Sequence, residues 1–257
     1  MKAGARKLLL QRTTRLRATA LLVLGCVACG LWLTPARVKP TAAPSQSCAL
    51  AGLTVALDPG HGGYDGGARA RDSGRWEKDV TLEIALAVEK ELLGRGAKVT
   101  LTRREDVCLC EGNTATRARK RQDLQERMNI ALRENCDVFL SIHLNEYRSR
   151  RESGPQVFYQ YGGDDGRLLA GVLQQSLIDT LKPAKKRVAM AGNYYVLRSK
   201  LPSALVECGF LSNAEEEKRL LNPSYQSLIA QALADGLEEY RVLLERVGQS
   251  PAEVENK

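Results

Sequence analysis

Three short apolar runs that do not alternate with polar residues constrain this chain most: Leu53–Leu57, Asp137–Ile142 and Ala204–Val206. A strand with one face in water alternates, whereas a strand covered on both faces reads as a nearly continuous apolar run. Further strand-like runs lie at Lys98–Thr102, Gln156–Gln160 and Tyr194–Leu197. Helical patterns separate them, at Val80–Leu93, Thr116–Glu134, Gly166–Leu181, Ala214–Leu221 and Ser224–Leu243. The first helix carries Leu82, Ala85, Leu86, Glu89 and Leu93 on one face and stops at Gly94 and Gly96. The second carries Leu124, Met128, Ala131 and Leu132 on one face, with charges elsewhere. Asn213 is a candidate helix cap, and Pro223 precedes the last helix. Strands alternating with helices of this length predict an α/β fold with a mixed or mostly parallel sheet covered on both faces.

In such a sheet, ligands bind in the crevice at the carboxyl ends of the strands. The chain has only two histidines, His61 and His143, and the pattern places each just past the end of an apolar strand; the third apolar run leads into Glu207. His61 sits in Asp58-Pro-Gly-His-Gly-Gly-Tyr-Asp-Gly-Gly, whose glycines let the backbone wrap a bound group closely. No lysine–hydroxyl pair and no immediate helix follow, which argues against a phosphate loop. Taken alone, His61 is either a hydrogen-bonded loop histidine or a metal ligand. His143 ends an apolar strand, where an imidazole is bound either to a metal or to a backbone carbonyl.

A catalytic zinc site has three protein ligands and an open position. With two histidines, the third ligand must be a carboxylate or a thiolate. Glu77, just ahead of the helix Val80–Leu93, is well placed, but spacing does not choose it over Asp65, Asp79 or Glu83. Otherwise Glu77 is an ordinary acid near a helix start. Glu207 closes an apolar strand, a costly position for a carboxylate unless it is used, either as a proton carrier beside a metal or in a salt bridge.

Five segments in order carry a family resemblance: Asp58-Pro-Gly-His-Gly-Gly, Glu77-Lys-Asp-Val-Thr-Leu, Leu101-Thr-Arg-Arg-Glu-Asp, Leu140-Ser-Ile-His-Leu-Asn and Leu205-Val-Glu-Cys-Gly-Phe-Leu-Ser-Asn. Over about residues 53–240 the chain resembles the zinc-dependent N-acetylmuramoyl-L-alanine amidases. That resemblance implies a six-stranded, mostly parallel α/β sheet flanked by helices on both faces, forming a single catalytic domain. It implies one Zn2+ held by His61, Glu77 and His143, with Glu207 as the catalytic acid/base. It implies cleavage of the amide between N-acetylmuramic acid and L-alanine of peptidoglycan. The wording around His143 and the absence of cell-wall-binding repeats resemble the spore-cortex amidases, some of which need an activating lipoprotein as a partner. An anchored peptidoglycan-binding protein without activity and a zinc N-deacetylase of cell-wall sugars are the competing readings. The chain departs from the family at Cys208, at Asn145-Glu146 and in the insertion-like stretch Cys108–Arg121.

The formal charge of +8 lies entirely within residues 1–50, which hold eight basic residues and no acid; the other 30 Lys and Arg balance 30 Asp and Glu. A neutral domain with 5% aromatic residues argues against a nucleic-acid partner. Residues 1–34 combine a basic start with the apolar run Ala18–Leu33 and read as a membrane signal-anchor or signal peptide. Residues 35–50 are a Pro/Ala/Ser linker, 51–244 the domain and 245–257 a polar tail. The chain is therefore expected outside the cytoplasm, anchored to the membrane or secreted. Cys26 and Cys29 read as small apolar residues of the membrane run or as a lipoprotein processing site. Cys48, Cys108, Cys110, Cys136 and Cys208 show no framework spacing, and Cys108-Leu-Cys110 is assigned to a loop without a role.

Overall fold

The computed structural model describes residues 48–111 and 116–248. Leader, most of the linker and the end of the tail (residues 1–47 and 249–257) lie outside them. The strands are β1 (Thr54–Pro59), β2 (Lys98–Leu101), β3 (Val138–Asn145), β4 (Gln156–Gln160), β5 (Met190–Gly192) and β6 (Ser203–Phe210). The helices are α1 (Glu77–Gly94), α2 (Arg117–Arg133), α3 (Asp164–Leu181), α4 (Ala214–Leu220) and α5 (Pro223–Gly248), with a 3-10 turn at Tyr195–Arg198. The sheet order is β2-β1-β3-β6-β4-β5. Every pairing is parallel except β4 with β6. The expected six-stranded, mostly parallel α/β sheet is what forms.

Strand periodicity divides the sheet into two unequal faces. Side chains alternate along a strand, so Val55 and Leu57 of β1, Val138, Leu140, Ile142 and Leu144 of β3, and Ala204, Val206 and Cys208 of β6 enter one large core. Helices α1, α3 and α5 cover that face. The residues between them, Ala56, Phe139 and Leu205, enter a smaller core closed by α2 and the 3-10 turn. Continuing the alternation on this thinner face brings up Asp58, Ser141, His143 and Glu207. The period of two thus sets the site's strand-borne polar residues on the lightly covered side.

Several expectations are corrected. His143 and Glu207 lie within β3 and β6, because the parallel ladder pairs them and runs on to Asn145 and Phe210. Helix α1 begins at Glu77 itself, which with Asp79 puts acid in the first turn, where the helix dipole favours it. Its buried face is Val80, Ile84, Val88 and Leu92 with Thr81 and Ala85, whereas Leu86 and Leu93 are exposed. This helix is apolar nearly all round, so its own pattern does not select a face; packing on β1 and α5 does. In α2 the buried set is Asp123, Arg127, Met128 and Ala131, and Leu132 faces outward. Tyr194–Leu197 is not a strand: Tyr195–Arg198 winds into the 3-10 turn, which buries Val196 and Leu197 against the smaller core, and the sixth strand is the edge segment Met190–Gly192. Helix α5 continues past Leu244 to Gly248. Cys108 and Cys110, assigned to a loop without a role, form a disulfide. Asn213 caps α4 as expected, its side chain accepting from the Glu215 and Glu216 amides.

Candidate metal centre

The loop after β1 is shaped for close approach. His61 itself adopts φ 64°, a left-handed conformation that costs a non-glycine residue of order 1 kcal/mol and recurs at functional sites. Gly60 lies flat against the His143 ring, where any Cβ would overlap the imidazole. At Gly67, with φ 68°, a Cβ would fall 2.5 Å from Glu77 Oε2 and 2.7 Å from His61 Cδ2.

His61, Glu77 and His143 meet on the thin face. Glu77 Oε1 lies 3.1 Å from His61 Nε2 and 3.0 Å from His143 Nδ1. The two rings stand edge to face, 4.8 Å apart. One ligand atom from each of the three residues lies within 4.8 Å of the other two. Two backbone amides orient the carboxylate: Leu144 N donates to Oε1 at 3.0 Å and Ala68 N to Oε2 at 2.8 Å. Asp65, Asp79 and Glu83 do not join this cluster. Asp65 instead approaches the other nitrogen of His61, Nδ1, to 3.0 Å, without the alignment of a hydrogen bond.

The electrostatics call for a cation between these groups. Burial disfavours charge on His61, but the Asp65 and Glu77 carboxylates outweigh it and push the imidazole up to about 9. Burial likewise opposes ionisation of Glu77, yet the two histidines hold it well below the usual carboxylate range. Two imidazoles and a carboxylate converging on one point are a donor set suited to a divalent transition metal, which would satisfy the charge that a proton otherwise carries. The residues fit such an ion.

Glu207 stands beside this cluster as the cross-strand partner of His143. Its Oε2 is buried and has no hydrogen-bond partner, a costly state for a carboxylate. Burial, with the Glu77 charge adding to it and His61 opposing, pushes Glu207 up to about 8. A buried acid that exchanges its proton near neutrality, facing a cleft, is suited to proton transfer. The cleft is about 310 Å³ and is lined by His61, Glu77, His143, Glu207, Tyr194 and Asn145 among others.

Sequence reasoning missed the scaffold beneath the site. Arg127, fully buried on α2, donates to Asp58 Oδ1 (2.8 Å), Pro59 O (2.8 Å) and His61 O (2.6 Å), and is held by Asp123 (2.8 Å). Arg103 donates to Pro59 O at 3.0 Å and Gly60 O at 2.9 Å. Three successive carbonyls of the histidine loop are therefore fixed by two guanidiniums. Asp58 also accepts from Thr102 and Ser141; although burial opposes its charge, Arg127 and these hydroxyls hold it below the usual carboxylate range. Arg103 stood within a quoted motif, but Asp123 and Arg127, four apart on a charged helix, look like a surface ion pair.

The family described as N-acetylmuramoyl-L-alanine amidase matches residues 55–239. The germination-specific N-acetylmuramoyl-L-alanine amidase of Bacillus subtilis is 37% identical over 199 residues, covering 76% of this chain and 82% of that protein. The N-acetylmuramoyl-L-alanine amidase LytC of the same organism is 35% identical over 193 residues, 74% of this chain but only 36% of LytC. Among solved structures, the CwlD amidase of Clostridioides difficile, in complex with the GerS lipoprotein, superposes with a TM-score of 0.71 at 35% identity, covering 74% of this chain and 99% of that one.

Proposed function

The chain belongs to the N-acetylmuramoyl-L-alanine amidase family, and from that premise we propose that it hydrolyses the amide joining the lactyl group of N-acetylmuramic acid to L-alanine in peptidoglycan, with His61, Glu77 and His143 holding Zn2+ and Glu207 moving the proton. One observation carries the assignment of roles: a buried carboxylate without a partner, Glu207 Oε2, faces a convergent His–Glu–His cluster.

When bound, Zn2+ supplies Lewis-acid activation of water and of the scissile carbonyl. The chain's own groups do the rest. Glu207 takes a proton from the attacking water at its carboxylate as the water oxygen bonds to the carbonyl carbon. It then gives that proton to the L-alanine nitrogen as the C–N bond breaks, leaving a lactyl carboxylate and a free peptide amine. The backbone amides of Leu144 and Ala68 hold Glu77 in place, and the two buried arginines fix the histidine loop, so the geometry is set before substrate arrives.

The germination-specific relative and the lipoprotein-bound structural neighbour support a role in spore-cortex maturation and a lipoprotein partner. The basic-then-apolar start of the sequence supports export, with residues 1–34 as membrane anchor or signal peptide and 51–244 as the catalytic domain. Among the described residues no helix is long and apolar enough to cross a membrane.

The test is Glu207→Gln in the purified, Zn2+-loaded chain. Release of stem peptide from muropeptides should fall by at least about 100-fold while zinc stoichiometry by mass spectrometry stays at the wild-type value. Wild-type turnover in the variant would overturn the role of Glu207. Loss of acetyl groups rather than peptides would favour a deacetylase, and wild-type protein that binds peptidoglycan without cleaving it would favour a binding protein.

A further inference from the structure

The catalytic cleft opens into a second, larger trough of about 720 Å³, sharing Asp65, Lys120, Leu124 and Tyr195 with it. The trough is walled by the first turns of α2, the loop after β1 and the 3-10 turn. Its polar lining is strongly one-sided: Arg117, Lys120, Arg121 and Arg198 against the single acid Asp65. Asp65 is already engaged by Lys120 at 3.1 Å and by His61. Among the described residues, Arg117, Arg121 and Arg198 have no acidic partner within ion-pair distance, and all three are exposed. This clustering is not the overflow of a basic surface, because beyond residue 50 the chain carries equal numbers of acids and bases.

The floor of the trough is ordered. Two guanidiniums lie over the Tyr195 ring, Arg121 at 5.7 Å and Arg198 at 5.4 Å from its centroid. Its hydroxyl accepts from Arg121 Nε at 3.3 Å and donates to Gln125 at 3.0 Å. Arg198 also donates from Nη2 to Asn193 Oδ1 at 2.9 Å; each guanidinium has five N–H donors, so both keep donors beyond these bonds, and their planar fork suits a carboxylate.

Resting on the amidase reading of the cleft, we propose that this trough receives the peptide half of the substrate and selects stems whose carboxylates are free over stems in which they are amidated. Of the two halves joined by the scissile amide, the glycan offers hydroxyls and acetamides, whereas the peptide carries carboxylates. Only the peptide half complements three guanidiniums without acidic partners and a lysine next to the reacting centre.

The experiment compares two muropeptides identical except that the stem carboxylates are free or amidated, using the Zn2+-loaded full chain. The free-acid stem should have kcat/KM about tenfold higher, as expected for two or three exposed ion pairs worth up to about fivefold each. In Arg117→Gln/Arg198→Gln that ratio should fall to about twofold or less, while Arg117→Lys/Arg198→Lys retains most of it. Equal kcat/KM in the wild type, or an unchanged ratio in the glutamine variant, would overturn the proposal and leave the amidase reading standing. If neither muropeptide is cleaved, the amidase reading fails by itself, and the trough is judged by fluorescence anisotropy of free acidic and amidated stem peptides. Preference for the acidic peptide that disappears in the glutamine variant supports the trough, and equal binding overturns it.

Discussion

At the scale of single residues, the site stores charge that protons or a metal must balance, and this has a readable pH signature. His61 is raised from 6.5 to about 9. A raised pKa means that folding favours the protonated form, so this contribution is complete below about pH 6.5 and is lost as the pH rises through about 9. Glu207, raised from 4.5 to about 8, acts in the same direction: its burial costs progressively more from about pH 4.5 upward. Asp58, Asp65 and Glu77 are all depressed, so their stabilisation is lost on the acid side, below their unfolded values near 4. The metal-free protein should therefore be most stable near pH 5–6 and lose on the order of 3 kcal/mol from each of His61 and Glu207 by pH 9. Zn2+ would replace the proton on the His61 side of this balance, so the loaded protein should lose less of its melting temperature across that range than the metal-free protein. Scanning calorimetry with and without a chelator checks this; identical pH profiles would mean that His61 does not exchange its proton for a metal. His61→Ala should in addition lower the bound zinc per chain. Both histidines and Glu207 could be picked out from the sequence because a polar residue in or after an apolar run is conspicuous. Glu77 could not be chosen by spacing among four acids, since only the fold brings it under the Leu144 and Ala68 amides.

At the scale of elements, the helices divide into those whose role follows from pattern and those whose role follows from packing. The strands' lack of alternation reported a sheet covered on both faces, and six strands formed. Helix α1 is apolar on too many sides for its pattern to say which stripe is buried. Ile84→Ala should therefore cost about 2–4 kcal/mol by leaving a cavity between α1, β1 and α5, while Leu86→Ala, on the exposed side, should change stability by less than about 1 kcal/mol. Urea denaturation of the two variants distinguishes the faces, and the reverse order would contradict the packing described. Helix α2 presents the opposite case, with a buried face that is partly ionic. Arg127→Met removes the cation between Asp58 and Asp123 and releases the Pro59 and His61 carbonyls. Stranding two buried acids costs about 3–5 kcal/mol. Because the same side chain fixes the loop of His61, zinc affinity should weaken together with the melting temperature. A variant that lost stability but bound zinc as tightly as the wild type would separate the scaffold from the site.

At the scale of the whole molecule, charge and apolarity are partitioned along the chain. All of the net +8 lies in residues 1–50, while residues 50–240 contribute a continuous core under α1, α3 and α5 and the entire site on the opposite face. Among the described residues, the core and the metal cluster are built from Leu50 onward, and on the proposed division of the chain anchoring and catalysis should be separable. In the proposed reading, a basic start followed by an apolar run would keep the amino terminus in the cytoplasm and carry the following domain outward, toward the peptidoglycan. The full chain should then sediment with membranes and resist extraction by alkaline carbonate. A chain beginning at residue 48 should be soluble and, loaded with Zn2+, should release peptide from muropeptides in solution at close to the full-length rate. Removing the leader should cost most of the activity only on peptidoglycan kept in place at the membrane, where tethering raises the local concentration of enzyme at its substrate. Recovery of the full-length protein in the soluble fraction with its leader cut would point to secretion. Membrane retention of the shortened chain would show that the anchor lies within the catalytic domain instead.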